Sequence, residues 1–160
     1  IEAFNRLNFK DALENSSYDV IHIISHAEFA KHSKDIAIVT NEGKLSLDDL
    51  EGLLKIPPSE KPLELLTLSA CSTAVGEETQ WAALGLSGVA IKIGARSSLA
   101  TLWQAYDLTT YVLVTRFYQN WQPPIKTKAQ ALQEAQKYVI GSIYRHPFFW
   151  AQVVLIGNWW

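Results

Sequence analysis

Methionine is absent from this 160-residue chain, and cysteine occurs once. A single thiol excludes an internal disulfide and a cysteine-only zinc site, and it suits a reducing, cytoplasmic compartment. No apolar run approaches the roughly 18 residues that span a bilayer, and no signal peptide opens the chain, so no membrane partner is expected. Lysines and arginines are scattered, and the net charge is −2, which argues against a nucleic-acid partner. The loops lack both GxGxxG and the P-loop lysine pattern, which removes the nucleotide-binding reading of a doubly wound domain. Without even an initiating methionine, the chain is expected to be a piece of something longer.

What is present is apolar and aromatic. Hydrophobic residues make up 48% of the chain, enough to bury the core of one compact domain. Four of the six tryptophans follow residue 110 and read as an aromatic C-terminal layer.

Two apolar runs organise the rest. Residues 63–70, LELLTLSA, are apolar on both faces and read as a buried parallel strand leading to Cys71. Val20 to Ile24 form a second strand, ending in Ser25-His26-Ala27. Ligands and chemistry collect at the carboxyl ends of parallel strands. If these two strands are parallel neighbours, His26 and Cys71 meet across a cleft, as cysteine nucleophile chemistry requires, because the thiolate attacks and an imidazole supports it. A lone cysteine is more often an inert core residue, so the assignment depends on that pairing. Of the other histidines, His22 shares the face of His26 and reads as an interior hydrogen-bonding residue. His32 reads as solvated and His146 as a core residue. No carboxylate has triad placement, since Glu28 is too close to His26 in sequence and Asp19 lies at the wrong strand end. A dyad is expected.

The remaining elements alternate. A loosely helical segment opens the chain. A strand at 36–40 turns at Asn41-Glu42-Gly43, and Ser46 caps a helix with Asp48 and Asp49 in its first turn. After Cys71 comes a helix over 80–93, ended by Gly94, and then a third parallel strand over 97–103. Asp107 reads as the N-cap of a long helix stopped by Pro123-Pro124. Thr127 caps the next helix, and a last strand covers 153–156. The pattern is α/β with a mostly parallel sheet.

The motifs SHAEF, LSACSTAVG, ALGLSGVAIKIGARSSLATLWQAYD and YRHPFFWAQVVLIGN, in this order, resemble the CHAT domain, a caspase-like family usually joined to tetratricopeptide repeats. The resemblance spans residues 18–158. It implies a caspase-like three-layer sandwich, with residues 18–160 as the domain and 1–17 as a helical or linker remnant. It also implies a clan CD cysteine endopeptidase with catalytic His26 and Cys71, no cofactor or metal, a protein or peptide substrate, and gating by a repeat region of the parent chain. The alternative on the same fold is a catalytically silent interaction scaffold. The histidine about 50 residues ahead of the cysteine matches caspase spacing. By the same resemblance the oxyanion donors are the backbone N–H groups of Cys71 and Ala27. Many members have glycine at the latter position, and alanine tolerates positive φ poorly. Relatives that cut after basic residues use a buried acid, which points to Asp107 as a specificity residue with Trp103 as an apolar wall.

Overall fold

The computed structural model describes residues 4–28, 36–55, 61–72, 88–103 and 106–160, with the backbone alone for 70–72. Six strands form one sheet in the order β3-β2-β1-β4-β5-β6: β1 (Val20–Glu28), β2 (Ala37–Thr40), β3 (Gly43–Ser46), β4 (Leu65–Ser72), β5 (Ser97–Thr101) and β6 (Val153–Gly157). The centre, β1-β4-β5, is parallel. Antiparallel strands complete both flanks, β2 and β3 on one side and β6 on the other.

Helices cover both faces. On the first, α1 (Arg6–Asn15), α2 (Leu47–Leu54) and a helical stretch at 88–92 pack on the sheet. Their contribution is a cluster of Phe9, Leu13, Leu50, Leu53, Val89 and Ala90 against Ile23, Ala27, Leu66 and Leu68. Each fully buried side chain of this size contributes about 1.5–3 kcal/mol. The N-terminal helix, expected as a helical or linker remnant, carries Phe9 and Leu13 into the core. On the second face lie α3 (Asp107–Asn120) and α4 (Lys128–Ile140), with Leu113, Phe117, Ala131, Leu132 and Val139 against Leu65, Leu99 and Val153. The result is a caspase-like three-layer sandwich.

Local chemistry explains the boundaries. Ser46 ends β3 and caps α2, its hydroxyl oxygen accepting from the Asp49 N–H at 3.1 Å. Thr127 and Gln130 form a reciprocal capping box on α4. Gly94 takes φ +78° after the 88–92 stretch, a left-handed conformation that suits glycine. The β2–β3 hairpin pairs Thr40 with Gly43 across Asn41-Glu42. A four-residue turn of helix, α5 (Pro147–Trp150), is capped by His146, whose Nδ1 accepts from the Phe148 N–H at 3.2 Å. His146 is exposed, so it is a cap and not the core residue expected from its apolar neighbours. At the amino end of β4, the buried Lys128 ammonium donates to Glu64 and to the carbonyls of Asn158 and Trp160, which ties the last residues to the sheet.

Several boundaries differ from the sequence reading: β4 is shifted two residues along from the expected 63–70, and β5 stops at Thr101, short of the expected 103. β1 runs on to Glu28 where an end near Ile24 was expected. Its antiparallel ladder to β2, Ala27 with Ile38 and Glu28 with Ala37, prolongs it, as does the Glu28–Lys44 ion pair. Asp107 is the first residue of α3 and not its N-cap. Tyr106 holds that position and makes no side-chain cap bond. Its carbonyl instead accepts from the N–H groups of Thr109 and Thr110 at 2.9 and 3.1 Å and from the Thr109 hydroxyl at 2.8 Å. The backbone bonds are the ordinary first bonds of a helix, reinforced by the Thr109 hydroxyl, and they do not involve the Asp107 side chain.

Candidate active site

Strand parity builds the site. Parallel β1 and β4 pair Val20 with Leu65, His22 with Thr67, Ile24 with Ser69 and His26 with Cys71. Residues two apart share a face. Ile21, Ile23 and Ala27 of β1 go into the first apolar cluster, Ser25 borders the groove while donating to the Val39 carbonyl, and the even members His22, Ile24 and His26 belong to the second face, beside α3. His26 and Cys71 are therefore partners at one register position, near the carboxyl ends of two adjacent parallel strands.

Between this part of the sheet and α3 lies a groove of about 720 Å³. Its sheet wall includes His22, Ile24, His26 and Ser69, and its helix wall Asp107, Tyr111, Val114 and Tyr118. The helix positions recur at three- and four-residue spacing, one face over three turns. Ile24 is 74% exposed although it sits on a central strand, which shows how open the groove is at mid-length. His26 and Asp107 are exposed.

The groove's inner end is polar and more enclosed. His22 Nε2 lies 3.2 Å from Ser69 Oγ, and its ring tilts against Tyr118 at 5.7 Å between centroids. The Tyr118 hydroxyl is 2.7 Å from Thr67 Oγ1. Burial lowers the His22 pKa, which keeps the imidazole neutral at pH 7. Burial raises the Tyr118 pKa, and the bond to Thr67 opposes this only in part. At the outer end, wholly buried Gln152 anchors α3: its amide donates to Thr109 Oγ1 and to the Phe149 carbonyl, and it accepts from the Thr110 hydroxyl.

The expected site residues divide as follows. His26 and Asp107 line one groove, and the Cys71 backbone is adjacent to His26. Ala27 is buried inside β1, with Ser72 and Ile38 as ladder partners on either side. Its backbone is extended: among the described residues no non-glycine has positive φ. Trp103 lies elsewhere. Its indole N–H donates to the Phe148 carbonyl at 3.0 Å and its ring stacks on Phe148, so it packs on α5 and is not among the described groove-lining residues. His32 and residues 104–105 lie outside the described residues, as does most of the expected 80–93 helix. Ser69 and Tyr118 were not singled out from sequence. The period-two parity from Cys71 and the period-3.6 spacing from Asp107 are the signals that reach them.

Among the described residues no three His, Cys, Asp or Glu side chains converge as a metal site would require, and no helix is long and apolar enough to cross a membrane. Comparison with known proteins gives one family match: the model described as "CHAT domain" matches residues 2–158. No curated protein matches the chain.

Proposed function

Because the chain belongs to the CHAT domain family, which is caspase-like, we propose that it is a cysteine endopeptidase working through a His26–Cys71 dyad. The single observation that carries this reading is the register of His26 with Cys71 on adjacent parallel strands, with His26 on the wall of a groove of about 720 Å³. In this mechanism the Cys71 thiolate attacks the scissile carbonyl carbon. A C–S bond forms, and the carbonyl electron pair moves onto oxygen. As the C–N bond breaks, the His26 imidazolium gives its proton to the leaving amine. Water then attacks the thioester, His26 takes the water's proton, and the sulfur leaves as thiolate. The N–H of Cys71 holds the oxyanion, where one donor is typically worth about 2.7–4 kcal/mol. Asp107, not needed as a cap, faces the groove as its one carboxylate among the described lining residues and favours basic substrate side chains. A repeat region of the parent chain gates the site.

One observation favours the scaffold alternative. Ala27 sits in the sheet with partners on both sides, whereas an oxyanion donor needs a free N–H. A randomised peptide library, offered to the chain alone and within its parent protein, separates the two. Cleavage that vanishes in Cys71→Ala supports the peptidase. No cleavage by either form supports the scaffold.

A further inference from the structure

The outer side of the α3–α4 pair carries a second hollow, of about 350 Å³, that the dyad does not use. Leu113 and Phe117 turn α3 inward into the apolar cluster with Ala131, Ala135 and Val139 of α4. Another face of α3 presents Tyr111, Thr115, Arg116 and Gln119 at helical spacing, and Tyr138 of α4 closes the hollow. Among the described lining residues there is no acid. Glu134, one turn before Tyr138 on α4, is engaged by Lys126 at 2.6 Å.

The chain has four arginines. Arg6 pairs with Asp49, Arg96 pairs with Glu64, and Arg145 Nε donates to the Ser142 carbonyl. Arg116 alone has no acceptor among the described residues. Its guanidinium lies over the Tyr138 ring, 3.9 Å from the centroid. Stacking of this kind occupies the flat face of a guanidinium and leaves its N–H edge free, because all its donors lie in the plane. A half-buried arginine held against a ring has already given up side-chain freedom, so a ligand meeting its edge loses less on binding. The Thr115 hydroxyl and the Gln119 side-chain amide line the same hollow and have no partner among the described residues.

This donor set selects its ligand. One guanidinium balances one negative charge, and its fork matches the paired oxygens of a carboxylate, whereas a phosphate dianion would keep a charge unpaired. The volume is at the lower end for ligand pockets and both tyrosines are exposed, so the hollow takes a side chain and not a whole cofactor. Val112 and the Tyr111 ring suit the methylenes of such a side chain. We propose that this hollow docks an acidic segment of a protein partner, with a glutamate or aspartate carboxylate held bidentate by Arg116. The site goes beyond the peptidase reading and does not rest on it. It shares Tyr111 and Thr115 with the groove, so a segment docked there borders the groove without filling it.

The probe is the blocked peptide acetyl-Ala-Glu-Ala-amide, with the Arg116 Nε–H and tyrosine ring signals of the intact chain followed by NMR. Saturable shifts at Arg116 and Tyr138 are expected. Arg116→Lys keeps the charge and loses the fork, so affinity should fall about tenfold or more, and the glutamine peptide should bind as poorly to the wild type. Tyr138→Leu leaves the guanidinium without its ring and should weaken binding about two- to fivefold. An unmoved Arg116 signal, undiminished binding in Arg116→Lys, or equal binding of the glutamine peptide overturns the site. Tighter binding of inorganic phosphate, or binding of propionate as tight as that of the peptide, overturns the acidic segment as its occupant. Cys71→Ala should bind the probe as the wild type does, and the presence or absence of peptide cleavage bears on the peptidase reading alone.

Discussion

Ile23 and Ile24 are adjacent, chemically identical and on the same strand, yet one is 5% exposed and the other 74%. Ile23 belongs to the closed face, where β1 and β4 meet α1 and α2 through side chains that are almost all apolar. Ile24 belongs to the face where α3 stands off and leaves a groove, flanked on its own strand by two histidines. Along β1 parity separates two tasks, while Leu65, Leu99 and Val153 elsewhere on the second face still pack on α3 and α4. The face of Ile23 is closed and supplies stability. The other leaves apolar surface open and places polar groups beneath it, at a cost in stability that a purely structural sheet would not carry.

The largest effect is expected on the open face. Cys71→Ala should abolish peptide cleavage, a loss on the order of 10⁶-fold by analogy with other nucleophile deletions. Its urea midpoint should stay close to the wild type. A variant that still cleaves would move the chemistry away from this face.

The next test sets the two isoleucines against each other. Ile23→Ala should cost about 2–5 kcal/mol in urea unfolding, as buried large-to-small changes do. Ile24→Ala should stay within about 0.5 kcal/mol and raise KM for peptides instead. Equal destabilisation would mean that the groove is filled in solution.

Asp107→Asn sharpens the open face further. Because Tyr106 is the N-cap, the substitution loses only a macrodipole contribution of about 0.3–1 kcal/mol. Cleavage after arginine or lysine should nevertheless fall relative to cleavage after neutral residues. An unchanged preference profile removes the aspartate from recognition.

The smallest effect is a pH dependence of stability. Since the folded His22 pKa lies below its ordinary value of 6.5, the unfolded chain binds this proton more readily. Stability linked to His22 is therefore fully present above about 6.5 and declines as pH falls toward the folded pKa. Urea unfolding across this window should show the decline in wild type and lose that component in His22→Gln.

Much of this arrangement was legible in the sequence, for local reasons. The apolar runs of β1, β4 and β5 and their parallel order followed from hydrophobic patterning. The caps at Ser46 and Thr127 followed from residue type, and the interior place of His22 from period two. What escaped was non-local. The extra length of β1 comes from a ladder to β2, which no pattern within β1 encodes. The N-cap of α3 is Tyr106, one residue ahead of the expected aspartate, and it makes no side-chain cap bond that residue type could have signalled. Trp103 was expected beside the groove, and its partner Phe148 lies on α5, joined to it only by the chain's return through β6. His26 and Cys71 were placed at strand ends. They lie just inside those ends, at one register position.

The central claim is that His26 supports a reactive thiolate at Cys71, and the most direct measurement is the pH profile of Cys71 alkylation by iodoacetamide in wild type and in His26→Ala. The chain has no other cysteine, so the reaction reports on this thiol alone. The wild-type midpoint should lie below the ordinary thiol value of about 8.5, with rapid alkylation near pH 6 that slows in folded His26→Ala. Superimposable profiles for the two proteins, or a thiol that does not react in either, would contradict it.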